Sequence, residues 1–561
     1  MKKLKTLKLL APLTILAGTL LPSLPIVLTS CNKEQEIISN TNSMVYVDGS
    51  ETHSVDLQDH IDPNIFCTAD PYDDTFASIP LKDATSLTNV KKSNIRSLTI
   101  YSIKEDVVTI NDNFMSCCDK LTNLDIRGLE NVNSIGNNFL LWCSKLTLLD
   151  MSHFTKLTYI SDYFLSGCSD LKTLLLPDKS NITAIGNYFL DKCSGLTSLN
   201  LPSTWNIKSI NNGFLSLCSN LSSITLPSTW NITYIGSEFL AQCSGLTQLT
   251  FPTTWQVAFV GSYFLYNCSS LTSLTLPEDW EISNIADYFM YGCSGLKSLT
   301  LPKWDVTTIG TNFLRGCSGL ESIDLTQSWE NVTSIGSYFL ADCTKMSQIT
   351  LPNQWTKLTS IGGYFLSGCK NLTKVDLTPW TNIFQQMTTM PEAFLAGCTG
   401  LTDIVLTPLT NITTIGNDFL RECNSLDEID LSPLSNVTTI GNGFLFACSK
   451  LENIPIEKMT KVTTIGDDFL TGCLELKSVD LRDLTSLQTI GSSFINCCNN
   501  VDIVYVGSLQ PTVFATSEYS FATDNEEAIS YTYGIEINGT ERATFLTAFP
   551  SSDVHPYRKL R

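Results

Sequence analysis

The sequence predicts an α/β solenoid: a stack of about sixteen repeats of ~25 residues, with one long parallel β-sheet and short helical turns on the opposite face. Three observations carry this reading. A Phe-x-x-x-Cys unit recurs sixteen times between Phe114 and Cys498, and its cysteines are 25 residues apart in eleven of fifteen steps. Each unit also carries a Leu-x-x-Leu-x-Leu run, and many carry an Ile-Gly pair ahead of the Phe. The other steps are 24, 26, 26 and 29 residues, and chance does not hold such a register over nearly four hundred residues. The length of 561 residues would otherwise suggest several domains.

One repeat shows how each piece is read. Leu271, Leu274 and Leu276 have strand spacing, with Leu274 and Leu276 pointing inward and the hydroxyls between them outward. Pro277 lacks a backbone N–H and ends the strand. Trp280, Ile282 and Ile285 line the return path, and Asp287 to Cys293 is expected to make one helical turn that turns Phe289 and Cys293 to the core. In other copies the Ile-Gly pair (Ile235-Gly236, Ile335-Gly336, Ile440-Gly441) is expected to give the turn an unusual backbone angle that glycine tolerates. A single unit cannot bury its leucines, whereas stacked units bury a continuous core. At ~4.8 Å per strand, sixteen rungs would build a sheet roughly 75 Å long.

The array is not uniform. Trp205, Trp230, Trp255, Trp280, Trp304, Trp329, Trp355 and Trp380 follow the strands in the middle repeats, where later repeats have Leu409, Leu434, Met459 and Leu484. Because the slot keeps a large apolar residue when Trp is absent, packing is the favoured role, with a partly exposed indole edge as the alternative. Four extra residues around Phe384-Gln-Gln-Met387, with Met390-Pro391 in place of Ile-Gly, should make a bulge or kink.

The ends do not repeat. Lys2, Lys3, Lys5 and Lys8 precede an uncharged run from Leu9 to Leu28, which makes 1–30 a leader. The run could cross a bilayer, but Pro12, Pro22 and Pro25 disfavour a continuous helix. Leu28-Thr29-Ser30-Cys31 resembles a bacterial lipobox, with polar residues like those of mollicute lipoproteins, so Cys31 is the expected lipidation site. The alternative is cleavage elsewhere, with Cys31 incidental. Residues 31–60 read as a flexible tether, 61–113 as an N-terminal cap, 114–507 as the solenoid and 508–561 as a C-terminal cap and tail. Val501 to Val506 should be a last strand.

The net charge is −20, and loss of the four leader lysines would take it to about −24. An acidic chain without a basic block is a poor partner for nucleic acid. Twenty cysteines would suggest disulfides in an exported chain. However, residues repeated once per rung stand roughly 4.8 Å apart, farther than the ~3.8 Å between the β-carbons of a disulfide. Packed thiols are therefore expected, with Cys117-Cys118 and Cys497-Cys498 as the places to look for exceptions. The four histidines are scattered, and there is no metal-ligand spacing, nucleophile elbow, P-loop or dinucleotide fingerprint, so no enzyme, metal or cofactor is expected.

The unit Gly-x-x-Phe-x-x-x-Cys-Ser-x-Leu-Thr-x-Leu-x-Leu-Pro resembles the BspA-like leucine-rich repeats of bacterial and protozoan surface proteins, over residues ~95 to 505. That resemblance implies a leucine-rich-repeat stack, attachment to the outer face of a cell membrane and adhesion to host extracellular or mucosal components. It supplies no binding residues. The outward strand positions are the candidates: Asn200, Thr225, Thr250, Thr275, Thr300, Asp324, Thr350, Asp376, Asp430 and Asp480 should line one face in order. Threonine chosen for strand propensity on a solvated face is the competing explanation. An adhesin for a host protein or glycan is the leading expectation, and a structural or antigenic coat protein without a specific ligand is its rival.

Overall fold

The computed structural model describes 43–48, 51–56, 72, 92–100, 108–326, 329–498, 503–505 and 534–536. The leader, Cys31 and Cys67 lie outside these residues.

Alternation of buried and exposed residues sets the first ladder. In Ser273–Thr275 only Leu274 is buried, and it pairs in parallel with Leu249 of the rung before. A strand of two or three residues recurs in most rungs from Asn123–Asp125 to Ser478–Asp480, with its Leu, Ile or Val side chain inward. The rungs form a parallel β-solenoid of about fifteen turns, as the spacing predicts.

A second ladder was not foreseen. Two-residue strands centred on the isoleucines run along another side of each rung, for example Ser209–Ile210 beside Tyr234–Ile235 and Phe259–Val260. Each Ile or Val is buried, and the residue before it faces outward.

The third side differs from expectation. The segment around each Phe is a series of tight turns, with little helix anywhere in the stack. In the rung of Phe189, Tyr188, Leu190 and Lys192 all have positive φ, at 56°, 56° and 59°. Their N–H groups bond to neighbouring rungs: Tyr188 to Asn212 O, Leu190 to Phe164 O and Lys192 to Ser216 O, at 2.6, 3.0 and 2.7 Å. A helix would turn these donors along its own axis, where no neighbouring rung could meet them. Left-handed backbone costs roughly 1–2 kcal/mol per non-glycine residue. Inter-rung hydrogen bonds and burial of Phe189, Leu190 and Cys193 offset that cost.

The Ile-Gly glycines also have a different role from the expected one. None has positive φ; a Cβ at Gly186 would lie 2.5 Å from Ser161 C and 2.6 Å from Asp162 N. Close approach of rungs selects glycine here. Ser161, Asn211, Ala286 and Pro391 occupy the same column, each between glycines in the rungs on either side.

The core is a set of stacked columns. The sixteen rung phenylalanines form one unbroken stack, from Phe114–Phe139 at 5.3 Å between centroids to Phe469–Phe494 at 5.2 Å. The extra residues near Phe384 are taken up by a 3-10 turn, Thr378–Trp380, and a helical turn, Thr381–Phe384. Lys374–Asp376 still pairs in register with Asp403–Val405, so the leucine ladder passes the insertion. In the isoleucine ladder, Ser360–Ile361 ends one sheet and Thr389–Met390 begins the next.

The N-terminal boundaries shift. Ile95–Ile100 pairs in parallel with Asn123–Asp125, so the solenoid begins ahead of residue 114. Ser43–Asp48 pairs antiparallel with both Glu51–Asp56 and Ile95–Ile100, which puts a hairpin where a tether was expected. At the other end Ile503–Tyr505 forms the expected strand, and Gly534–Glu536 pairs beyond it.

Candidate functional site

The leucine ladder presents the row of residues singled out above. Asn200, Thr225, Thr250, Thr275 and Thr300 are all exposed. Asn200 pairs with Thr225, Thr250 with Thr275, and Thr275 bridges to Thr300. Among the described residues none of these five side chains is hydrogen-bonded. Ser198, Ser223, Gln248, Ser273 and Ser298 form a second exposed column two residues earlier. A third column is partly committed, since Ser222, Thr247 and Thr272 donate to carbonyls of the preceding rung at 3.1, 3.4 and 3.3 Å.

The aspartates in the row are engaged. Asp324 Oδ1 accepts from Thr326 N at 2.8 Å and from its hydroxyl at 2.6 Å. Asp376 accepts from Thr378 N at 2.8 Å, and Asp430 from Ser432 N at 2.9 Å. Asp480 accepts from Arg482 N at 3.1 Å and pairs with its guanidinium, and it is only half exposed. These are Asx turns that hold the corner after the strand. Hydrogen bonds from Thr326 and from Ser432 hold the Asp324 and Asp430 carboxyls below their ordinary value.

The chain contains its own control for this role. Asn200, Thr225, Thr250, Thr275, Thr300 and Thr350 are each followed two residues later by proline, which has no N–H to donate. Asp125, Asp150, Asp324, Asp376, Asp430 and Asp480 are each followed by a residue that has one. Thus the row divides into a hydroxyl and amide segment open to solvent and corner-holding carboxylates, with Thr350 exposed beyond Asp324.

Both other candidate columns are packed. All eight tryptophans of the series are buried, so the partly exposed edge is not found. Most donate to a proline carbonyl of the preceding rung, as Trp205 does to Pro177 O at 3.0 Å and Trp380 to Pro352 O at 3.0 Å. The sixteen rung cysteines are buried free thiols, including Cys118 and Cys498 at the two places marked for exceptions. Each from Cys143 onward donates its thiol to a carbonyl of the rung before, for example Cys193 to Leu165 O at 3.1 Å. Burial pushes the Cys168, Cys293, Cys398 and Cys448 thiols up to about 12, which keeps them protonated and unreactive.

Two features escaped the sequence reading. An asparagine or aspartate often stands two residues after the ladder isoleucine, and its side-chain oxygen accepts the next rung's N–H: Asp112 from Asn137, Asp162 from Asn187, Asn212 from Ser237. The turn side also carries stacked tyrosines, Tyr163–Tyr188, Tyr263–Tyr288 and Tyr338–Tyr364, at 4.8, 4.5 and 4.2 Å between centroids. A tyrosine just ahead of the rung Phe in these six repeats was the available signal.

Catalytic chemistry gains no constellation. Among the described residues there is no cluster of three or more His, Cys, Asp or Glu that could hold a metal ion. Half-buried His153 packs on Phe154, and burial lowers its pKa. Among the same residues no helix is long and apolar enough to cross a membrane.

A leucine-rich repeat protein from Bacteroides ovatus shares 19% identity, with 79% of this chain and 96% of that one covered and a TM-score of 0.36. A leucine rich cell surface protein from Faecalibacterium prausnitzii also shares 19% identity, over 68% and 89% of the two chains, with a TM-score of 0.36. The functional domain of InlJ from Listeria monocytogenes, which includes a cysteine ladder, shares 15% identity over 74% of each chain, with a TM-score of 0.29. No curated protein sequence matches the chain. The BspA type leucine rich repeat region (6 copies) matches residues 75–181, 148–259, 258–388 and 388–527, and no enzyme family is indicated. With the Phe and Cys columns in register from Phe114 to Cys498 and the family region matched over most of the chain, the chain belongs to the BspA type leucine-rich-repeat family.

Proposed function

We propose that this protein is a lipid-anchored bacterial surface protein, of mollicute type, that binds an extracellular host protein or glycan through the outer face of its leucine ladder. The observation that carries the reading is the row Asn200, Thr225, Thr250, Thr275 and Thr300. Five exposed side chains occupy the same position on successive rungs, with no hydrogen bonds among the described residues. A rigid sheet presents them at a fixed spacing of ~4.8 Å. Each can donate and accept, so many weak contacts can add up over a repetitive partner. The basic, then apolar, then Cys31 order of the leader supports anchoring by a lipid. Membership in a repeat family that includes bacterial surface proteins supports a binding role.

The test uses residues 31–561 with Cys31→Ser, applied to an array of matrix proteins, mucins and glycans. A second protein carries lysine at Thr250, Thr275, Thr300 and Thr350. A saturable ligand lost in the second protein supports an adhesin with its site on the sheet. Binding that survives moves the site elsewhere, and the absence of any ligand favours a structural or antigenic coat protein. Metabolic labelling with palmitate, abolished by Cys31→Ala, checks the anchor.

A further inference from the structure

The turn side of the solenoid, remote from the leucine ladder in each rung, pairs aromatic rings with cations. Arg421 lies over the Phe446 ring at 3.9 Å and bonds to Asp418 at 3.0 Å. Arg315 lies over the Tyr338 ring at 4.0 Å, bonds to Asp342 at 3.0 Å and reaches Asn312 at 3.2 Å. Both arginines stand two residues after the rung Phe, and Asp418 and Asn312 stand one residue before it. Their rings belong to the next rung, Phe446 two residues after its Phe and Tyr338 one before.

The rung of Phe239 has the same surroundings without the arginine. Glu238 takes the place of Asp418, and Ala241 takes the place of Arg421. The next rung supplies rings at both positions, Tyr263 and Tyr266, which meet edge to face at 5.4 Å and 71°. Their far faces are covered, Tyr263 by Tyr288 at 4.5 Å and Tyr266 by Tyr291 at 4.9 Å. The faces toward Glu238 and Ala241 have no ring against them, because that rung has none at either position. Among the described residues the Glu238 carboxylate has no ion-pair partner; Lys192, two rungs away, is held by Asp191 at 2.7 Å.

We propose that the notch formed by Glu238, Ala241, Tyr263 and Tyr266 accepts an arginine side chain from a partner protein, its guanidinium stacked on tyrosine and paired with Glu238. A guanidinium suits the notch better than an ammonium, since it is flat, weakly hydrated and able to stack and bond at once. Burial first and the Asp191 charge second raise the Glu238 carboxyl above its ordinary value, an effect that a bound cation reverses.

The test titrates the full chain, at physiological salt, with a short blocked peptide of alternating glycine and arginine and with its lysine counterpart. The arginine peptide should bind roughly tenfold more tightly than the lysine peptide. Ala241→Arg places the chain's own guanidinium in the notch, as Arg421 does, and should abolish binding; Glu238→Gln should weaken it roughly tenfold and adds no bulk to the fold. Asp427→Asn, a change at an exposed carboxylate on another side, should leave it unchanged. Equal affinity for the two peptides would reduce the effect to attraction by an acidic chain and overturn the proposal. So would no binding at all, or affinity untouched by Ala241→Arg and Glu238→Gln.

Discussion

The indole N–H of Trp230 donates to the carbonyl of Pro202, 3.2 Å away and twenty-eight residues earlier. One rung's strand-ending proline is therefore the acceptor for the next rung's buried tryptophan, and the two residue types depend on each other across the rung boundary. Trp280 is the exception: it is equally buried, but its Nε1 has no partner. Trp230→Phe leaves a buried carbonyl without its donor, at a cost of roughly 1–3 kcal/mol beyond the lost volume. Trp280→Phe removes an unsatisfied donor and should cost about 1 kcal/mol less than Trp230→Phe. Hydrogen exchange of amides in the flanking rungs reads each local opening energy, and equal losses would refute the pairing.

The Ile-Gly column makes a second comparison. Gly186 lies between Ser161 and Asn211, whereas Gly441 lies between Gly416 and Gly466. A Cβ at either would approach backbone of the preceding rung within 3.0 Å. Around Gly441 both neighbours can yield, as Gly261 and Gly310 do around Ala286. Around Gly186 both already carry side chains, with the Ser161 hydroxyl bonded to Ile135 O and Asn211 Nδ2 to Ile185 O at 2.9 Å. Gly441→Ala should cost about 1 kcal/mol and Gly186→Ala more than ~2 kcal/mol. The same exchange measurement decides, and a reversed order would show that rung spacing is not what selects glycine.

What could be read in advance, and what could not, follows from these columns. Phe189 and Cys193 were legible as core because the same side chains recur at every rung, and stacking buries whatever repeats. Leu190 was legible as apolar, but its left-handed backbone was not: propensity argues against that conformation, and only hydrogen bonds to other rungs stabilise it. The row from Asn200 to Thr300 was placed correctly on an exposed face by strand alternation. The structural engagement of Asp324 and Asp430 was missed, although the absence of proline two residues on was visible in the sequence. Glu238 carried no signal, because its surroundings come from residues 25 and more positions away.

The Asx corners give a pH dependence. Hydrogen bonds from Ser432 depress the Asp430 carboxyl in the folded chain, so the unfolded chain binds the proton first as pH falls. The stability contributed by this carboxylate is present above the unfolded value near 3.8 and is lost as pH falls through the folded one. Asp430→Ala should cost roughly 0.5–1.5 kcal/mol near neutral pH, for the loss of one corner hydrogen bond, and nearly nothing under strongly acidic conditions. Urea denaturation of both proteins across that range measures the difference. A deficit that persists at low pH would assign the loss to packing instead.

The cysteine column predicts the opposite limb. Burial raises Cys293 from the ordinary 9.0 to about 12, while in the unfolded chain it keeps the ordinary value. Above pH 9 the unfolded chain releases the proton and the folded chain retains it, so stability falls as pH rises from 9 towards 12 and is unaffected below. The slope is up to ~1.4 kcal/mol per pH unit for each such thiol. Cys293→Ser retains a donor for the Leu265 carbonyl, 3.2 Å from the native thiol, and has no proton to lose in this range. The variant should lose some stability at neutral pH, since a hydroxyl is smaller and costs more to bury. Yet its stability should fall less steeply between pH 9 and 12, by up to ~1.4 kcal/mol per unit. Urea denaturation at pH 9, 10 and 11 gives the two slopes; identical slopes would mean that the folded thiol already ionises at its ordinary value, and that the column is open to solvent and to oxidants.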